Sequence, residues 1–382
     1  MTMSKQMEKP FEFIKKKDGS SFTSETYKNW YKARAYVLDK LKDKAFVPDS
    51  NEFLHVVVTD VDNEVSRPLM LSIVRQVALS AHFINYKEES NKNRTVITII
   101  SHNVGIIKEE LKKEEYLFYL PIYGKDFFKD SNNNPVNGCP KVEVDIEICF
   151  SEGLPEGDII KMTKDEAESF CSSKFEDEIF SIDTRMAVYA SRMYDLGADI
   201  NNLPYDDIHS TERYSIALDV FQFVKLEDGL KPLIKNEWTD SENQVKVLES
   251  LSNIFCSDSF ESRAKAVKLY SEQRQISEPE AWKELNHSLS KSEHARWVVE
   301  KLIMGYKPMS KDQRLEYEKQ FGKKREQYAK GLKRPVDMKD LSHVDLCSFV
   351  NLRRIDPDNM KYDSFLVLCI PEILKRINGE NK

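Results

Sequence analysis

FLHVVVTDVDNEVSRPLMLSIVRQVALSAHF, residues 53–83, decides the fold class. Its first part, FLHVVVTD (53–60), is a continuous apolar run rich in β-branched residues, the signature of a parallel strand buried on both faces. SRPLMLSIVRQVALSAHF (66–83) then switches to helical spacing, with Pro68 where a first helical turn tolerates it. The change of period from strand to helix predicts a strand–helix unit.

The same alternation continues downstream. RTVITIIS (94–101) reads as a second buried strand, VGIIKEELKKEEYLFYL (104–120) as a helix ended by Pro121, and VEVDIEICF (142–150) as a half-buried strand by its strict alternation. Strand, helix, strand, helix, strand is the order of an α/β, Rossmann-like layer. Upstream, residues 1–50 read as a charged lead-in with one helix, in which Tyr27, Trp30, Tyr31, Ala35, Leu38 and Leu41 recur at helical spacing. Beyond residue 162 the pattern becomes helical, with candidate helices at 183–197, 210–226, 241–255 and 261–273. The expected organisation is therefore a lead-in at 1–50, an α/β domain at 51–162, a helical region at 163–285 and a small, mostly helical domain at 286–382.

A chain of 382 residues is too long for one ordinary core, which agrees with several units. With 40% hydrophobic and 32% charged residues it falls in the soluble globular class. A net charge of −7 argues against general nucleic-acid binding. The basic stretch KQFGKKREQYAKGLKR (319–334) reads as a solvated loop, with a phosphate-attracting rim as the sharper alternative. No apolar run approaches the roughly 18 residues of a membrane span, and the N-terminus lacks the apolar core of a secretory signal. Cysteines 139, 149, 171, 256, 347 and 369 are scattered without a CxxC pair, as expected for reduced thiols in a cytoplasm.

In the last hundred residues, SLSKSEHARWVVEKLIMGY (288–306) crowds polar and aromatic groups onto one helical pattern. Ser290 and Glu293 have capping-box spacing, so a helix is expected over 290–304 with Glu293 in a structural role. Trp297 belongs to an apolar stripe with Val298, Leu302 and Ile303. Arg296 cannot be buried unpaired and must meet a carboxylate, solvent or an anionic ligand.

These residues carry a resemblance. Glu293, His294, Arg296, Trp297, Gly305 and Tyr306, then His343, Asp345, Leu346 and Phe349, then Tyr362, Asp363 and Pro371, resemble the RyR domain named after the repeats of ryanodine receptors. The likeness is to the single-copy bacterial form, C-terminal to a Rossmann-like (TrkA-N-like) domain. Two departures stand out: a longer, charged segment between Tyr306 and His343, and Val344 where the family often has Pro. The resemblance implies a helical module that binds nucleotide-derived ligands without catalysis, and a setting in bacterial nucleotide signalling and phage defence. The expected pocket has Arg296 for phosphate, Trp297 and Tyr306 for a base, and His343 and Asp345 for sugar or amide hydrogen bonds, beside His294. Its partner is a small nucleotide-derived ligand, with a homo-oligomer or an effector protein left open.

The second constellation closes the first strand. Thr59-Asp60-Val61-Asp62-Asn63 falls at the carboxyl end of a strand, where open α/β sheets bind ligands. Neither G-x-G-x-x-G nor a P-loop is present. The D-x-D resembles the nucleophile motif of haloacid-dehalogenase-type phosphatases, with Ser101 ending the second strand and Asp206-Asp207 imitating an acidic magnesium pair. Glu64 departs from that motif. This gives the alternative of a magnesium-dependent phosphohydrolase using Asp60 and Asp62. The leading reading needs no metal or cofactor, and a protein–protein assembly module is a third. Glu143, Asp145 and Glu147, alternating on one strand, read as charges that blunt a sheet edge. Histidines 55, 82, 102, 209, 287, 294 and 343 never fall in a metal-binding pattern.

Overall fold

The computed structural model describes residues 24–88, 90, 92–107, 144–174, 252–303, 307–309, 342–355 and 360–380, with isolated helical positions at 186, 187, 190, 312, 313, 315, 316 and 319. Its elements are α1 (Ser24–Leu41), β1 (His55–Val58), α2 (Arg67–Ser80), β2 (Thr95–Ile100), β3 (Ile146–Ser151), β4 (Ile160–Met162), α3 (Lys164–Lys174), α4 (Phe260–Arg274), α5 (Glu278–Ile303), β5 (Lys307–Pro308), β6 (Ser342–His343), α6 (Phe349–Ile355) and α7 (Met360–Glu380).

The strands β1 to β4 form one sheet in the order β3-β2-β1-β4, with every pair parallel. This is the α/β class read from residues 53–150. Val56, Val57 and Val58 of β1 and Ile97 and Ile99 of β2 are fully buried, which explains the unbroken apolar runs. Helix α2 buries Leu69 to Val74 and Gln76 to Ser80, so it is enclosed nearly all round rather than on one stripe. α1 and the C-terminal half of α5 both pack on it.

Three expectations change. β4 was not foreseen; three residues pair with β1 in a segment whose pattern carries no strand period. The third strand is shorter than 142–150 and begins at Ile146. Asp145 lies just before it, with its carboxylate oxygens 2.8 and 3.0 Å from buried His82 Nδ1. So Asp145 does not blunt an exposed edge; Glu147 is exposed, and Glu143 lies outside the described residues. The candidate helices at 183–197 and 210–226 also lie almost wholly outside them.

The helix expected at 290–304 begins twelve residues earlier, at Glu278. Ser277 and Glu280 form the actual capping box: the Ser277 amide donates to the Glu280 carboxylate at 3.0 Å, and the Glu280 amide lies 3.4 Å from Ser277 Oγ. Ser290, at mid-helix, donates back to the Asn286 carbonyl at 2.7 Å and meets Ser364 Oγ of α7 at 3.0 Å. Position 286 is therefore interior to a helix about 39 Å long. That helix belongs to two hydrophobic clusters. Val298, Val299, Leu302 and Ile303 join the sheet core. Ala281, Trp282, Leu285 and Leu289 join a helical core with Phe260 and Val267 of α4 and Leu366, Ile370 and Ile373 of α7. Among the described residues no helix is long and apolar enough to cross a membrane. Cys149, Cys171, Cys256, Cys347 and Cys369 are free thiols.

Candidate functional site

Of the six residues expected at the C-terminal site, His294 and His343 pack on Trp297, and Asp345 adjoins His343. The His294 ring stacks with Trp297 at 5.9 Å between centroids, and His343 packs edge-on against Trp297 at 4.9 Å. His343 comes from β6, whose pairing with β5 holds it in place, and its Nδ1 accepts the Asp345 amide at 3.2 Å. Phe349, at the start of α6, tilts against His294 at 5.7 Å. Lys301 places its Nζ over the Trp297 ring at 5.7 Å. Trp297 itself is half-buried and leans on the sheet core. Tyr306 lies outside the described residues.

His294 is a buried anchor. Its Nε2 donates to the Cys347 carbonyl at 2.9 Å and its Nδ1 lies 3.5 Å from Asp363 Oδ2. Burial disfavours the charged ring, but the acceptors at both nitrogens outweigh it and raise the imidazole to about 10. Burial also raises Asp363, against the pull of His294.

Arg296 does not join this group. It is 0% exposed, and its guanidinium is held by carboxylates. Nε is 3.0 Å from each Glu293 oxygen, Nη2 donates to Glu293 at 2.8 Å, and Nη1 donates to Glu300 at 2.7 Å. Glu293 also meets Arg263 at 2.8 Å; Glu300 accepts Ser252 Oγ and Lys301 Nζ, each at 2.9 Å. Burial pushes Glu293 upward, yet Arg296 and Arg263 outweigh it and hold the carboxyl at about 2. Of the three fates open to Arg296, the carboxylate is the one found, because an unpaired guanidinium cannot be buried. Glu293 is therefore an ion-pair partner rather than a cap. Spacing alone shows that Glu293 and Glu300 sit at i−3 and i+4 from Arg296 on one helix. Arg263, Asp258 with Arg34, and His82 with Asp145 are long-range partners with no local signal.

At the sheet's carboxyl edge, Asp60, Asp62 and Ser101 come together as structural ties. Asp62 accepts from Ser101 Oγ at 2.6 Å and from the His102 amide at 2.8 Å, joining the loops after β1 and β2. Burial presses its carboxyl up, but these donors and Asn103 outweigh it and hold it below the usual carboxylate range. Asp60, in the left-handed region at φ 64°, accepts from Thr59 Oγ1 at 3.0 Å and from the Lys164 amide at the start of α3 at 3.1 Å. Each carboxylate thus closes a loop, and Asp206-Asp207 lie outside the described residues. Among the described residues no group of three or more His, Cys, Asp or Glu is placed to hold a metal ion. Asp62→Asn should lower stability by about 1–2 kcal/mol through the charged hydrogen bond to buried Ser101. The loss, read from urea unfolding, should shrink as pH falls through the carboxylate range, where the wild-type side chain also loses its charge.

Comparisons of the chain with protein-family models, with curated proteins and with solved structures found no match.

Proposed function

We infer that the protein is a non-enzymatic sensor for a nucleotide or nucleotide-derived signal, bound through the RyR-like C-terminal part. A role in bacterial phage defence follows from the resemblance. One observation carries the reading: a half-buried indole, Trp297, is brought together with His343, Asp345 and the cation of Lys301. A nucleobase needs a π-face to stack on and polar groups at its edge, and this grouping offers both. Among the described residues Lys301 is the cation placed over that ring, so it takes the phosphate-facing role first assigned to Arg296. His294 then positions Trp297 from below. α5 runs from this site into both hydrophobic cores, so a ligand that favours one setting of the helix shifts the population of both.

Thermal unfolding of the full chain with ATP, ADP-ribose, NAD or cyclic oligonucleotides, with and without magnesium, tests this. A ligand at about 100 times its Kd adds about 2.7 kcal/mol. The expected result is stabilisation by at least one compound, weakened tenfold or more in Trp297→Leu and His343→Ala and kept in Asp60→Asn. Turnover of a phosphate ester that disappears in Asp60→Asn would replace the sensor by the phosphohydrolase. Silence toward every compound would leave the assembly module.

A further inference from the structure

The carboxyl edge of the sheet carries a feature unconnected with Trp297. Three large apolar side chains are exposed there: Val65 at 83%, Ile106 at 57% and Leu154 at 57%. Each stands on the segment that follows one of three neighbouring strands, β1, β2 and β3. Strand spacing of about 4.8 Å starts these segments within about 10 Å of one another. Hydrogen bonds lace them together: Asp62 binds Ser101 and His102, and the Ser101 amide donates to the Ser151 carbonyl at 3.0 Å.

The loop that presents Val65 is fixed from within. Ser66 Oγ donates to the Asp60 carbonyl at 2.7 Å, Arg67 Nε to the Val61 carbonyl at 2.7 Å, and the Val65 amide to Asn63 Oδ1 at 2.9 Å. A stiff β-branched side chain is therefore held outward on a backbone whose polar groups are engaged. The start of residues 152–159 adds to the same edge. They must join β3 to β4 at opposite sides of the sheet, a lateral span of about 14 Å, within a reach of at most roughly 30 Å. That connection leaves the carboxyl end of β3, with Leu154 three residues past Ser151, and enters β4 at its amino end, because β4 is parallel to β1.

Charge completes the picture. Asp60, Glu64 and Glu152 are exposed along this edge, with Asp62 half-buried among them. Among the described residues the nearby cations are fewer. Arg67 is turned onto the carbonyls of Val61 and Asp62, Lys164 faces Glu168 at 3.8 Å, and Lys161 is exposed on β4. Single exposed apolar residues are ordinary, whereas three on laced loops amid an acidic excess describe a complementary surface. We propose that this edge docks a basic amphipathic segment of a partner protein. The partner's apolar face sits on Val65, Ile106 and Leu154, and its lysines or arginines face Glu64 and Glu152.

The test is fluorescence anisotropy with the full chain and two labelled peptides of about 16 residues, sized to about four helical turns. One has leucine and lysine at amphipathic spacing; the other has glutamate in place of lysine. The lysine peptide should bind in a salt-sensitive way, at least tenfold tighter than the glutamate peptide. Its affinity should fall tenfold or more in Val65→Ser/Ile106→Ser/Leu154→Ser and in Glu64→Gln/Glu152→Gln. All five positions are exposed, and an unchanged urea midpoint checks that both variants fold. Absent or equal binding of the two peptides, or binding indifferent to both variants, overturns the proposal. So does self-association that the apolar variant abolishes, which assigns the edge to a second copy. Displacement of the lysine peptide by a peptide of residues 319–334 overturns it too, in favour of the chain's own basic segment.

Discussion

An Arg296→Ala chain is expected to be less stable than wild type by about 3–5 kcal/mol, the cost of breaking a buried ion pair from one side. The alanine takes from Glu293 and Glu300, both 0% exposed, the guanidinium they share, while Arg263 stays on the first and Lys301 and Ser252 on the second. Domains are marginal, typically 5–15 kcal/mol, so a chain that accumulates poorly is within expectation. Arg296→Lys provides the graded arm: it keeps a charge but not the planar fork that spans two carboxylates, and should fall between wild type and alanine. Arg274→Ala is the control, because its 3.0 Å pair with Asp49 is exposed on both sides and should cost under about 1 kcal/mol. Guanidinium unfolding of the three variants checks the order. Equal midpoints for Arg296→Ala and wild type would mean that the guanidinium is not part of the buried network. For the proposed sensor the result also bears on function, since a loss of ligand response in Arg296→Ala would report a damaged scaffold. Trp297 and His343 are the positions that separate binding from folding.

How much of this was legible in the sequence depends on the range over which each feature is encoded. The sheet core was legible because Val56–Val58 and Ile97–Ile99 are buried on both faces, which writes an unbroken apolar run into the chain. β4 was not, because three residues paired to β1 carry no period of their own. The start of α5 was misplaced because two S-x-x-E patterns, at 277 and 290, lie in one helix. Only the first has its serine at a break; the second serine is turned onto Asn286 and Ser364. Grouping Trp297 with His343 needed the family resemblance, since the parallel pairing of β5 with β6 joins segments separated by residues 309–341. Lys301, one turn beyond Trp297, was available from helical spacing but has no motif to mark it.

The pair of His294 and Asp363 should give the stability curve a slope on the alkaline side. An ordinary histidine titrates near 6.5, whereas His294 is held at about 10 by acceptors at both ring nitrogens. A folded value above the unfolded one means that the native state binds the proton more tightly. The stabilisation is then complete below pH 6.5, declines as pH rises, and is gone once pH passes about 10. His294→Gln should therefore cost several kcal/mol at pH 6, on the order expected for leaving Asp363 buried without its partner, and progressively less toward pH 10. Taking the difference between wild type and variant removes the lysines and tyrosines that titrate in both. His55 supplies an internal contrast: burial lowers its pKa, so its ring should be neutral where His294 is still charged. Imidazole resonances followed from pH 5 to 10 should show one ring titrating below 6.5 and another that has barely begun to titrate by pH 8. A His294 that titrates near 6.5 would mean that Asp363 is the protonated member of the pair, and the wild-type advantage would then be flat across the alkaline range.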